Sequence, residues 1–196
     1  MAKSDPASAK KERMKAAKWV ITIFFATIFI SGSISLLSDI LMENSTMAVA
    51  FLILLVIILV GIIFDIIGMA VATADEKPFH SMAARKVPGA SEAIRLLRNA
   101  ERVSSICNDV VGDICGVVSG SASATIAAQI LRNFDFTWPQ IISLLMSALA
   151  AGLTVGGKAI GKSFAVNSCT SIVHGVGRVI HALRSFPKVF RKKKKK

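Results

Sequence analysis

The sequence is short of acid. Twelve Asp and Glu stand against 24 Lys and Arg in 196 residues, and residues 158–196 contain no acid at all. Its three cysteines, Cys107, Cys115 and Cys169, follow no metal-ligand spacing, and free thiols are expected. Its three histidines, His80, His174 and His181, are too scattered for a metal cluster. No nucleophile stands beside a positioned base, and no catalytic metal motif appears, so the sequence argues against an enzyme. The even spread of apolar residues that amphipathic helices of a soluble domain need is missing too.

Apolar residues make up 53% of the chain, and they are gathered into four blocks: Trp19–Leu41, Met47–Thr73, Val103–Leu131 and Trp138–Gly157. A bilayer core of ~30 Å takes about 20 residues of helix, and every block is long enough. The expectation is an all-α integral membrane protein with four transmembrane helices. Charge orients them. Residues 1–18 hold six Lys/Arg, residues 75–102 hold six and residues 158–196 hold eleven, whereas the intervening loops hold one between them. The positive-inside rule then places both termini in the cytoplasm, in a multi-pass protein of the cell membrane.

The first block follows a basic leader, residues 1–18, and contains Ser31-Gly32-Ser33, which also suits a cleaved signal peptide. The leader is long, no Ala-x-Ala site follows and apolar residues continue beyond Ser33. An uncleaved anchor helix over 19–41 is the expectation. The net charge of +12 invites a nucleic-acid reading. In a polytopic membrane protein the charges are better explained as topogenic and attracted to anionic lipid, at ~1 kcal/mol each near the surface.

Gly156-Gly157-Lys158-Ala159-Ile160-Gly161-Lys162-Ser163 fits the phosphate-loop pattern G-x-x-x-x-G-K-[ST]. That motif works only between a buried strand and a helix, where loop amides cradle phosphate at the helix N-terminus. Here the lead-in is itself long enough to be a membrane helix, which puts the motif at a helix C-terminus, where the dipole disfavours anions. No nucleotide is expected.

Carboxylates inside apolar helices are costly and usually face a bundle interior or a water-filled cavity. Asp65, Asp109 and Asp113 are such groups. At about 100° per residue, Asp109, Gly112, Asp113, Gly116 and Gly120 share an arc of about 100°. Gly112, Gly116 and Gly120 form a G-x-x-x-G-x-x-x-G stripe that lets another helix approach closely. Lys158 and Lys162 share a comparable arc on the fourth segment. Two readings stay open. Asp65, Asn108, Asp109 and Asp113 make an oxygen-rich cation site suited to Mg²⁺, or Asp109 and Asp113 pair with Lys158 and Lys162 and the site is closed.

Residues 164–196 read as a cytoplasmic tail. Ile172, Val176, Val179, Ile180 and Leu183 recur at helical spacing among basic residues, and RKKKKK follows. This suggests a basic amphipathic helix on an anionic inner leaflet; a helix packed on the inner connection is the alternative.

With the segments placed, residues 46–163 resemble the transmembrane domain of the CNNM/CorC family. The resemblance runs from about residue 60 to 188. In the connection Pro88–Ser105, Gly89-Ala90, Leu96-Leu97 and Glu101-Arg102 stand where that family shows Gly-Ala, Leu-Leu and Glu-Arg. Phe64–Ala70 occupies the place of a phrase like FSGSE-x-A. Gly157–Ala165 lines up with one like GEI-x-PKSLA. The departures fall on polar positions: Asp65, Ile67 and Gly68 replace a Ser-x-Ser-Glu phrase, Val110-Val111 a Gly-Asn, Lys158 a glutamate and Gly161 a proline. The CBS domains common in the family are absent from these residues. The resemblance implies three membrane helices (47–73, 103–131 and 138–157) joined by a cytoplasmic connecting helix over 75–102, with 19–41 as an addition. It also implies a homodimer and a role related to divalent cation transport, Mg²⁺ above all, with a degenerate or rebuilt ion site. The alternative is a membrane scaffold that kept the fold, does not transport, and binds anionic lipid or a partner protein.

Overall fold

The computed structural model describes residues 6–43, 45–133 and 138–193, and no strand occurs among them. The α-helices are α1 (Pro6–Glu43), α2 (Met47–Thr73), α3 (Lys77–Ala84), α4 (Ala90–Leu97), α5 (Ala100–Ser105), α6 (Asp113–Asn133), α7 (Pro139–Asn167) and α8 (Cys169–Lys193). A π-helical turn, Ile106–Gly112, joins α5 to α6 in one rod. Four helical stretches are long and apolar enough to cross a membrane: Ala17–Met42, Met47–Thr73, Ala100–Asn133 and Pro139–Asn167. In hydrocarbon every backbone amide must be satisfied within the segment, so even the Val- and Ile-rich α2 winds into helix. Proline in the first turn opens both α3 and α7, where its missing N–H costs nothing.

Three boundaries differ from the sequence expectation. α1 already runs as helix from Pro6, so most of the basic leader continues into the first span as one rod. The fourth span runs on past Gly157 to Asn167, which places the whole GGKAIGKS stretch inside a helix and leaves no loop to hold phosphate. The connection over 75–102 is not one helix. Pro88 cannot continue α3, and Lys86 (φ 57°) and Gly89 (φ 87°) turn the chain through the left-handed region before α4.

The α2, α5–α6 and α7 rods pack against one another around two apolar clusters. Met42, Leu54, Ile58, Ile126 and Met146 fill the end near the α1–α2 turn. Val71, Phe79, Ala93, Leu97 and Val173 fill the other end, where α3, α4 and α8 form a cap. A close backbone crossing holds the cap together. A Cβ on Gly177 of α8 would strike the Gly89 carbonyl, and one on Gly89 would strike the Arg178 amide.

α1 is peripheral and runs parallel to the α5–α6 rod. Arg102 lies 5.3 Å over the Trp19 ring at one end. At the other, the Thr125 hydroxyl donates to Asp39 at 3.4 Å and Gln129 Nε2 donates to the Met42 carbonyl at 2.8 Å. Most of the α1 side chains between these anchors are exposed.

Candidate functional site

Between the two apolar clusters α2 turns a face of unusual composition toward its neighbours. Gly61, Asp65 and Gly68 are buried and lie at i, i+4 and i+7, one line on the helix. The glycines are there for contact. A Cβ on Gly61 would sit 2.8 Å from Cys115 Cβ, and one on Gly68 would collide with the Asn108 side chain. The opposing surface is the π turn, where Gly112 allows Asp65 to approach: a Cβ there would lie 2.5 Å from Asp65 Oδ1 and 3.2 Å from Lys158 Nζ. α7 closes the third side through Gly157 and Gly161, which pack on Ile62 and Ile66.

Asp65 is only 4% exposed. Lys158 reaches it from α7, with Nζ 3.5 Å from Asp65 Oδ1 and its side chain 19% exposed. The same ammonium donates to the Gly112 carbonyl at 3.2 Å. One lysine thus bridges α2 and the end of the π turn. The arrangement is not saturated. Asp65 Oδ1 and Asn108 Oδ1 are buried and without a hydrogen-bond partner among the described residues. They face the same α2–π-turn seam, Asp65 against Gly112 and Asn108 against Gly68. Asn108 Nδ2 donates to Ser104 Oγ at 3.2 Å, which fixes the amide oxygen toward Gly68. Burial of such acceptors is costly, so this seam is electrostatically demanding.

The other predicted residues are placed elsewhere. Asp109 is exposed and accepts a 2.7 Å hydrogen bond from Ser105 Oγ. Asp113 and Lys162 are exposed. Lys158 pairs with Asp65, not with Asp109 or Asp113. Among the described residues no three His, Cys, Asp or Glu are grouped so as to hold a metal ion. Of the glycine stripe, Gly112 alone is in close contact. Gly116 and Gly120 have open space where a Cβ would be. The π turn accounts for part of this, because its extra residue per turn changes the phase between Asn108 and the residues beyond Gly112.

Sequence reasoning therefore found Asp65, Asn108, Gly112 and Lys158 but not how they combine, and it missed Gly61, Gly68, Gly157 and Gly161 as packing positions. A signal for them existed: Gly61, Asp65 and Gly68 sit on one face of an otherwise uniformly apolar helix.

The cap holds a second polar cluster. His181 Nδ1 lies 3.1 Å from Glu92 Oε1, and His174 Nε2 lies 3.3 Å from the Pro88 carbonyl. Burial pushes the Glu92 carboxyl up. The His181 hydrogen bond, its own backbone amide and the charges of His181 and Arg184 outweigh that and hold it below its ordinary value. Glu76 similarly gathers His80 at 3.2 Å and Arg98 at 3.9 Å.

Comparison with protein-family models, with curated proteins and with solved structures finds no match for this chain.

Proposed function

We propose that the protein is a four-span membrane protein with both termini in the cytoplasm of the cell, related to the CNNM/CorC transmembrane domains, in which a lysine has taken the place of a transported cation. The observation that carries this reading is the position of Lys158 Nζ, 3.5 Å from Asp65 Oδ1 and 3.2 Å from the Gly112 carbonyl. A tethered ammonium there supplies the positive charge that the buried carboxylate requires. It also stands where a divalent ion would need oxygen ligands. On this reading the bundle is a membrane scaffold with a closed ion site, and it carries no Mg²⁺. The CNNM/CorC relationship also brings with it a homodimer, which light scattering of the detergent-solubilised protein would check.

One observation favours a transporting variant of the same reading. Asp65 Oδ1 and Asn108 Oδ1 are buried acceptors without a hydrogen bond among the described residues, and they line one seam, which a cation could enter if Lys158 swung toward the cap. Flux of Mg²⁺ into proteoliposomes separates the two. The closed-site reading expects no flux above that of empty vesicles, for the parent chain and for Asp65→Asn alike. Flux in the parent chain that Asp65→Asn abolishes would replace the scaffold by a transporter.

A further inference from the structure

α4 and α8 flank an open groove of about 100 Å³ lined by Glu92, Arg95, Leu96, Ile180 and Arg184. Its two guanidinium groups, Arg95 and Arg184, belong to exposed residues, and neither makes an ion pair among the described residues. The single acid in the lining is already engaged, because Glu92 faces His181 at 3.1 Å. Arg184 also acts on Glu92 through its charge, so the lining holds two guanidinium groups against one carboxylate and is net positive beside apolar Leu96 and Ile180.

A second feature of α8 adjoins it. Ile172, Val176, Val179 and Leu183 lie at i, i+4, i+7 and i+11, one stripe along the helix. The first two are half-buried. Val179 and Leu183 are 60% and 67% exposed, with nothing from the described chain covering them. The place of α8 decides what would. It begins one residue after α7, a membrane-crossing helix, and its buried Val173 shares a cluster with Val71 near the end of α2. At the same end of the bundle Arg102 of α5 stands over Trp19, near the start of the first span. The exposed stripe and the arginine pocket thus belong to a helix that lies where the bundle leaves the bilayer.

Apolar side chains beside basic ones on a surface helix are the pattern of interfacial binding. The planar fork of arginine matches phosphate oxygens in pairs. We propose that the α4–α8 groove is a headgroup site for an anionic phospholipid bearing a phosphate monoester. Arg95 and Arg184 hold the phosphate, and Val179 and Leu183 enter the acyl region beside it. The proposal needs only that the spans cross a membrane; it is independent of whether Lys158 closes a cation site.

The test uses the full chain in neutral detergent micelles, titrated with dioctanoyl phosphatidylinositol 4-phosphate and read by native mass spectrometry. Dioctanoyl phosphatidylcholine and inorganic phosphate serve as the other arms. Saturable one-site binding of the phosphoinositide is expected, with far weaker binding of the other two. Arg95→Ala/Arg184→Ala is expected to weaken it by about thirtyfold while leaving the melting temperature unchanged. Val179→Ser/Leu183→Ser weakens the lipid but not inorganic phosphate. Every variant keeps the terminal lysines, so equal affinity in the parent and Arg95→Ala/Arg184→Ala would assign the binding to the tail and overturn the pocket. Inorganic phosphate binding as tightly as the lipid would overturn the lipid assignment. Should the double alanine variant melt early, Arg184→Gln on its own carries the same comparison.

Discussion

Asp65 and Asp113 are both carboxylates set in apolar helices, and the fold treats them oppositely. Asp65 sits behind Gly112, under Lys158, between two apolar clusters. Asp113 opens the helix that follows the π turn, on a face where Gly116 and Gly120 meet nothing. The difference lies in what surrounds each residue. α2 brings glycines on either side of its acid, so neighbouring rods can come close enough to pair and bury it. α6 brings glycines too, but no helix among the described residues arrives to use Gly116 and Gly120. Small residues permit a close approach; the approach itself depends on where the neighbouring rods run.

The largest effect should come from separating Asp65 and Lys158. Removing one member of a buried pair strands the other, at a cost of about 3–5 kcal/mol, whereas replacing both with apolar groups of similar size is often neutral. Lys158→Met alone should lower the unfolding midpoint in mixed detergent sharply, and Asp65→Leu should do the same. The double variant should recover most of the loss. If the double variant is as unstable as the singles, Asp65 is serving something other than Lys158.

A smaller effect separates the two glycine environments. Gly112→Ala forces a methyl against Asp65 and Lys158, an overpacking that typically costs about 1–3 kcal/mol. Gly120→Ala meets open space and replaces glycine inside a helix, which favours the helix by about 0.5–1 kcal/mol. Opposite shifts in melting temperature are expected from the same substitution two turns apart. A loss at Gly120 similar to that at Gly112 would mean that another chain packs on the open face of α6.

Much of the fold was legible because the bilayer imposes a length and a polarity that a sequence displays openly. Met47–Thr73 is recovered with the same bounds. The break at Pro88-Gly89 was written in the residues as well, though the connection was read as one helix. The pairing of Lys158 was not legible. It depends on the rotation and depth of three rods, and the π turn alters both: one extra residue per turn displaces Asp109 from where a regular helix would aim it. A lysine also reaches any of several acids through a flexible stem, so spacing alone could not choose Asp65 over Asp113.

The cap gives a milder contrast, in which the pair lies near the surface. Glu92 has its carboxyl held below the ordinary value of 4.5, so the folded state favours the ionised form. The stability linked to Glu92 ionisation is present above pH 4.5 and is lost as pH falls through the lower folded-state value, and the ionic part of the contact counts only while the His181 imidazole is protonated. His181 is half exposed, so the gain is screened and should stay below about 1 kcal/mol. The protection of α8 amides, taken as the exchange rate relative to the intrinsic rate at the same pH, should fall on acidification below pH 4.5, and Glu92→Gln should remove that pH dependence while Glu101→Gln leaves it intact.

The smallest effect is expected at Asp113. Its side chain is exposed and makes no ion pair among the described residues, so Asp113→Asn should change stability by no more than about 0.5 kcal/mol in detergent, as surface substitutions commonly do. In a bilayer the comparison becomes sharper, because an exposed carboxylate on a membrane helix is expensive unless water or a partner reaches it. If Asp113→Asn is neutral in micelles but raises thermal stability in nanodiscs, the carboxylate faces lipid and the chain tolerates its cost. If it is neutral in both, water reaches Asp113. If it destabilises the protein only at concentrations where the chain self-associates, a second copy supplies the partner that Lys158 supplies to Asp65, and the two acids differ only in which chain answers them.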